Sequence, residues 1–144
     1  LLLDSPATLG SKDAVLPVVI ADRIVLVVQP TIPAITDGLK VQEYATAYGT
    51  DVAGLLFNKV HDPEAVSRIT DRAGDYVAGP ILGAVPMDEA AREARKAGTP
   101  LLAHAPDSPA GQAFASIAAD LEIDAEDPER VADRFRNAVI PDAP

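Results

Sequence analysis

An α/β domain with a parallel sheet and helices on both faces is what the sequence predicts, on three observations. Apolar strand-like runs alternate with helical ones along the chain. The strand runs are β-branched and uninterrupted, Ile24-Val25-Leu26-Val27-Val28 above all, which suits strands buried on both sides. The core must be aliphatic: 48% of residues are hydrophobic, yet the chain has three Phe, three Tyr and no Trp. One domain is the natural count for 144 residues, and a chain of this size buries roughly 68–70% of its unfolded surface.

Leu1-Leu2-Leu3 reads as a buried strand ending on Asp4, with Ser5-Pro6 turning the chain away. The sequence opens inside this run without an initiator methionine, so it reads as a piece of something longer. A Gly/Ser/Thr-rich loop to about Ser11 precedes a short apolar helix or turn near residues 13–20. Ile24–Val28 is the second strand, closed by Gln29-Pro30. Thr31 caps the next helix, with Pro33 in its first turn, and Gly49 stops it after Tyr48. The third strand, Val52–Phe57, ends on Asn58-Lys59.

Asp62-Pro63-Glu64 starts a helix, and Ala65, Val66, Ile69 and Ala73 keep helical spacing along it. Ile81–Val85 is a fourth strand, ending at Pro86-Met87-Asp88. Asp88 caps a helix that Gly98 closes. Leu101-Leu102 is too short for a strand. Ser108-Pro109 opens a helix to about Leu121, and Asp127-Pro128-Glu129 opens the last.

Composition excludes several classes. Without Cys there are no disulfides, thiolate metal sites or Cys nucleophiles. No apolar run approaches the roughly 18 residues of a membrane span, and no signal peptide is visible; a cytoplasmic location is the expectation. Net charge is −10, with 22 acids against 12 bases, so direct nucleic-acid binding is disfavoured. Such a surface, with four Lys, suits either a high-salt cytoplasm or an ordinary acidic protein. His61 and His104 fall in polar, loop-like surroundings and read as surface residues. Ser5 reads as a turn hydroxyl, and nothing resembles a nucleophile elbow.

Three strands end on something chemically useful: Asp4, Asn58 and Pro86-Met87-Asp88. Carboxyl ends of parallel strands line one edge, where ligands bind. A carboxylate holds magnesium directly or through water. An amide offers a donor and an acceptor, matching the Watson–Crick edge of adenine, and a Pro-led loop leaves backbone groups free to flank a base. Each has a structural alternative: Asp4 a strand-end acid, Asn58 a turn closer, Asp88 a helix cap.

The order of these segments resembles the carboxyl-terminal half of the MinD/ParA family of P-loop ATPases. Leu3-Asp4-Ser5-Pro6-Ala7 is similar to the family's Walker B and switch II segment, with Thr8 where Gly is usual. Ala21-Asp22-Arg23-Ile24-Val25-Leu26-Val27, Leu55-Leu56-Phe57-Asn58-Lys59-Val60 and Leu82-Gly83-Ala84-Val85-Pro86-Met87-Asp88 resemble three further family segments. Gly98-Thr99-Pro100-Leu101 and Asp107-Ser108-Pro109-Ala110-Gly111-Gln112-Ala113-Phe114 follow in the family's order. The resemblance covers about residues 1–121 and implies a partial P-loop NTPase (Rossmann-like) fold, with residues 122–144 an acidic tail.

The resemblance implies site roles as well. Asp4 would be the catalytic, magnesium-holding acid, and the loop Ser5–Gly10 would sense the γ-phosphate. Asn58 would read adenine, and Pro86, Met87 and Asp88 would pack on base and ribose. ATP and Mg2+ are the implied cofactors. ATP would drive homodimerisation, and a protein partner would stimulate hydrolysis, in division or partition.

The tail's Val131, Phe135, Ala138 and Val139 form an apolar stripe beside Arg130, Arg134 and Arg136. Peripheral membrane contact is the family's use of such a helix, but Asp127, Glu129 and Asp133 favour docking on the domain. No Gly-x-x-x-x-Gly-Lys-Ser/Thr loop occurs in the 144 residues. The chain alone is therefore expected to be inactive, and the resemblance places the missing P-loop strand between Leu1–Leu3 and Ile24–Val28. The alternatives are a nucleotide-free regulatory module that keeps the fold and a related ATP-using ligase.

Overall fold

A computed structural model of the chain describes residues 2–5 and 12–121. Three strands, β1 (Arg23–Val28), β2 (Asp51–Val60) and β3 (Ile81–Pro86), form one parallel sheet in the order β1-β2-β3. The helices are α1 (Lys12–Ile20), α2 (Ile32–Ala47), α3 (Pro63–Ala73), α4 (Glu89–Ala97), α5 (Leu101–His104) and α6 (Pro109–Asp120), with a 3-10 turn at Gly74–Tyr76. Each strand passes into the next through a helix, the crossover that parallel pairing requires.

β2 is the centre of the molecule. Its run Gly54-Leu55-Leu56-Phe57 is wholly buried, and alternate residues serve opposite faces. Leu55 and Phe57 join Leu26 and Val28 of β1 against Ile35 of α2 and Ile69 of α3. Leu56 joins Val85 of β3 against Ala110 and Ile117 of α6. The sheet therefore carries helices on both faces, as the apolar runs predict.

Helix ends follow local chemistry. Thr31, Asp62, Asp88 and Ser108 each accept from a backbone N–H of the first turn that follows. Pro33, Pro63 and Pro109 occupy early helical positions where no N–H is needed. Gly83 has a packing reason, since a Cβ there would stand 2.7 Å from the Ile117 side chain. Gly54 has a stricter one: its Cβ would lie 2.5 Å from the Pro80 carbonyl oxygen.

Two polar side chains tie distant segments together. The buried Thr50 hydroxyl donates to the Val18 carbonyl at 2.8 Å, holding α1 to the start of β2. Gln42 of α2 donates to the Tyr76 carbonyl and accepts from the Ala78 N–H, at 2.8 and 2.7 Å. That pair of hydrogen bonds anchors the connection leading into β3.

Three expectations change. Leu2 and Leu3 are exposed and belong to no strand; a strand needs a paired ladder, and none is formed with them among the described residues. Leu1 lies outside the described residues, as do the loop from Pro6 to Gly10 and the tail helix with Val131 and Phe135. β2 continues past Asn58 to Val60, and residues 101–104 form the short helix α5. On β1, Val25 and Val27 remain exposed, at 36% and 58%, on the face opposite α2 and α3.

Phe57 is 1% exposed at the hub of the larger core. Phe57→Ala should cost about 3–5 kcal/mol, measured by urea unfolding; a loss below about 1 kcal/mol would contradict this packing.

Candidate functional site: the carboxyl rim of the sheet

Because all three strands run the same way, Val28, Val60 and Pro86 end at one edge. There Val60 pairs with Pro86, and the Met87 N–H donates to the Val60 carbonyl at 2.8 Å. Asn58 falls between the Phe57–Ala84 and Val60–Pro86 pairs. The structure thus brings Asn58, Pro86 and Met87 to one end of two neighbouring strands. Asp88 follows directly.

A cleft of about 660 Å3 opens at this edge, lined by Val60, His61, Pro63, Val66, Ala84, Pro86 and Met87. Its size falls within the range of small-molecule sites, and its walls are mainly apolar, as such sites are. Met87 is 55% exposed, so the wall it forms is available to a ligand. A smaller cavity of about 260 Å3 lies near Gly79 and Ile81, at the start of β3, and includes core residues such as Leu55 and Phe57. Parallel sheets place ligands at the carboxyl edge, which favours the larger cleft.

Asn58 does not line this cleft, and its amide is partly engaged. Its Oδ1 accepts from the Lys59 N–H at 2.8 Å, while Nδ2 has no partner among the described residues. A backbone N–H needs an acceptor, so this bond fixes which amide atom is oxygen. Lys59 itself is left-handed, at φ 56°, unlike any other non-glycine residue described.

Asp88 is more fully committed. Oδ1 accepts from the Ala90 N–H at 2.9 Å, and Oδ2 accepts from the Ala110 N–H at 3.0 Å. The carboxylate therefore caps α4 and fastens the start of α6 to the same turn. The Ala110 N–H foremost, then the Ala90 N–H and the Ser108 hydroxyl, hold its pKa below the ordinary Asp value against partial desolvation. Across the rim, Asp62 is likewise lowered, first by the Arg68 guanidinium at 2.8 Å and then by the Glu64 N–H.

Asp4 is exposed and has no hydrogen-bond or ion-pair partner among the described residues. Nothing there joins it to Asn58 or Pro86, and no cluster of three metal-ligating side chains occurs among those residues. Magnesium held with nucleotide phosphates requires only one or two protein carboxylates, so a single Asp is chemically sufficient. No described helix is long and apolar enough to cross a membrane.

Sequence reasoning passed over Lys59 and placed His61 only on the surface. His61 is exposed and also lines the cleft. A left-handed Lys has no sequence signal, whereas the turn after β2 places His61 at the edge automatically.

No protein-family model matches the chain. Two ATP-binding proteins of Methanocaldococcus jannaschii, MJ0547 and MJ0169, are similar to it. The first is 37% identical over 121 residues, covering 84% of this chain and 45% of the relative. The second is 34% identical over 130 residues, covering 88% and 48%. Among solved structures, the Pyrococcus furiosus cell-division ATPase MinD matches with a TM-score of 0.66 and 27% identity, over 81% of this chain and 48% of that one. MinD of Pyrococcus horikoshii OT3 complexed with Mg-ADP matches at 0.67 and 28%, over 81% and 47%.

The chain spans about half the length of these relatives. Its three-stranded parallel sheet with flanking helices, and these matches, define an open α/β fold of the P-loop NTPase kind. Within that class the chain is similar to the MinD cell-division ATPases.

Asp88→Asn removes the charge while keeping the shape. A carboxylate with a lowered folded pKa stabilises above its unfolded pKa, near 3.9, and loses that contribution as pH falls through the folded value. The Tm gap between wild type and Asp88→Asn should thus be a few °C near pH 6–7 and close as pH falls below the ordinary Asp range. A gap independent of pH would contradict the capping geometry.

Proposed function

We propose that this chain forms the base-recognising part of a MinD-type ATP-dependent switch. The observation that carries the reading is the meeting of Asn58, Pro86 and Met87 at the carboxyl rim, beside a cleft of nucleoside size. The similar M. jannaschii proteins are ATP-binding, and the similar P. horikoshii MinD is complexed with Mg-ADP. Pro86 and Met87 pack on the base, and Asn58 donates to it. Asp88 holds the turn through its two caps rather than by grasping ribose. Asp4 holds magnesium through water, and that ion neutralises charge on the phosphates.

In the whole protein ATP drives homodimerisation, and hydrolysis, stimulated by a protein partner, reverses it. The nucleotide-binding part ends near residue 121, and the acidic tail docks on it. Cytoplasmic partition or division machinery is the setting. Tail-dependent pelleting with anionic liposomes would instead make the tail a peripheral membrane anchor.

The backbone cradle and lysine of a phosphate loop are missing from these 144 residues, which keeps a nucleotide-free regulatory role in play. Joining the chain to the part of MJ0547 that lies outside the matched segment separates the two. The fusion should bind Mg-ATP with micromolar Kd, and Asn58→Ala should weaken binding roughly tenfold. The 144-residue chain alone should show no micromolar ATP binding by calorimetry. A fusion that folds and ignores ATP would favour the regulatory role; micromolar binding by the chain alone would contradict the dependence on a phosphate loop.

A further inference from the structure

The turn at the end of β2 combines three features that ordinary strand termination does not require. The β2–β3 register shifts between Phe57 and Val60. Lys59, within that shift, takes a left-handed conformation at φ 56°, which a residue carrying a Cβ seldom adopts. Its N–H turns onto the side chain of the residue before it, reaching Asn58 Oδ1 at 2.8 Å. Such departures collect where a side chain must be held in one orientation.

We propose that Lys59 is a positioning residue whose left-handed backbone occupies the Asn58 carbonyl and presents the Asn58 NH2 as a donor at the nucleotide rim. An unrestrained amide can rotate and offer either its oxygen or its nitrogen. Here one lone pair of the oxygen is engaged by Lys59, which holds the amide in one orientation and leaves its NH2 to meet a ring-nitrogen acceptor of a purine. This inference rests on the base-binding reading of the rim, but its geometric half stands apart from it.

The test uses the 144-residue chain, three variants and two-dimensional 1H–15N NMR. Lys59→Val places a β-branched residue where left-handed backbone is most disfavoured. The position-59 amide should lose its protection from exchange, and the Asn58 side-chain NH2 resonances should move. Lys59→Gly adopts the same backbone freely and should restore both signals. If Lys59→Val folds with both signals unchanged, the proposal is overturned, whatever the nucleotide results.

With millimolar AMP as the probe, Lys59→Val should weaken binding about three- to tenfold, the loss expected when one hydrogen bond is misplaced. Lys59→Gly should return it to within about twofold. In an Asn58→Ala background the effect of Lys59→Val should vanish, because Lys59 acts through Asn58. An equal loss in Lys59→Gly and Lys59→Val would overturn the proposal by assigning the effect to the lysine side chain. An Asn58→Ala chain that binds AMP like wild type would overturn the base-binding reading, leaving the exchange measurement to decide the geometry.

Discussion

The pinning of β2 between two co-directional neighbours is the constraint on which the rest depends. Pairing with β1 from Arg23–Asp51 to Val28–Phe57, and with β3 from Leu55–Ile81 to Val60–Pro86, leaves β2 little freedom to slide. Burial on both faces enforces this register, since a one-residue slip would exchange Phe57 with Leu56 between two different cores. Parallel pairing then requires that every strand-to-helix turn fall on one edge. The rim is a consequence of core packing, and residues almost thirty positions apart meet there because Leu55, Leu56 and Phe57 are aliphatic or aromatic.

Polar groups at that rim divide by what they have left to give. Asp88 spends both oxygens on the starts of α4 and α6, and Asp62 spends both on Glu64 and Arg68. These carboxylates stabilise turns, each oxygen already accepting one bond. Asn58 keeps a donor pair free, Met87 keeps an exposed thioether side chain, and Pro86 and Ala84 give the cleft flat, unreactive walls. The arrangement suits a planar heterocycle, bound by apolar contact and a donor. Phosphate neutralisation is not provided by these elements, in keeping with a chain that spans half of its relatives.

Much of this was legible in the sequence because it is local. Uninterrupted β-branched runs mark β1, and Thr31, Asp62-Pro63, Asp88 and Ser108-Pro109 mark helix starts within a residue. The coincidence of Asn58 with Pro86 and Met87 followed from parallel topology alone. What escaped was non-local or conformationally rare. The bond from Ala110 to Asp88 spans 22 residues and depends on where α6 packs on β3. Lys59 carries no hint of its backbone, since a left-handed turn would have been expected of Asn or Gly. Leu2 and Leu3 have strand composition but pair with no strand among the described residues, and composition without a ladder does not make a sheet.

Met87 is the only methionine in the chain, so a 13C-labelled methyl group there reports on the rim without ambiguity. Titrating the labelled chain with AMP, and separately with ribose 5-phosphate, tests the central claim most directly. A base stacked on Pro86 and Met87 should shift the methyl resonance through its ring current, while the sugar phosphate should leave it in place. An unmoved methyl signal at tens of millimolar AMP, or an equal response to both compounds, would mean that this edge does not hold the base.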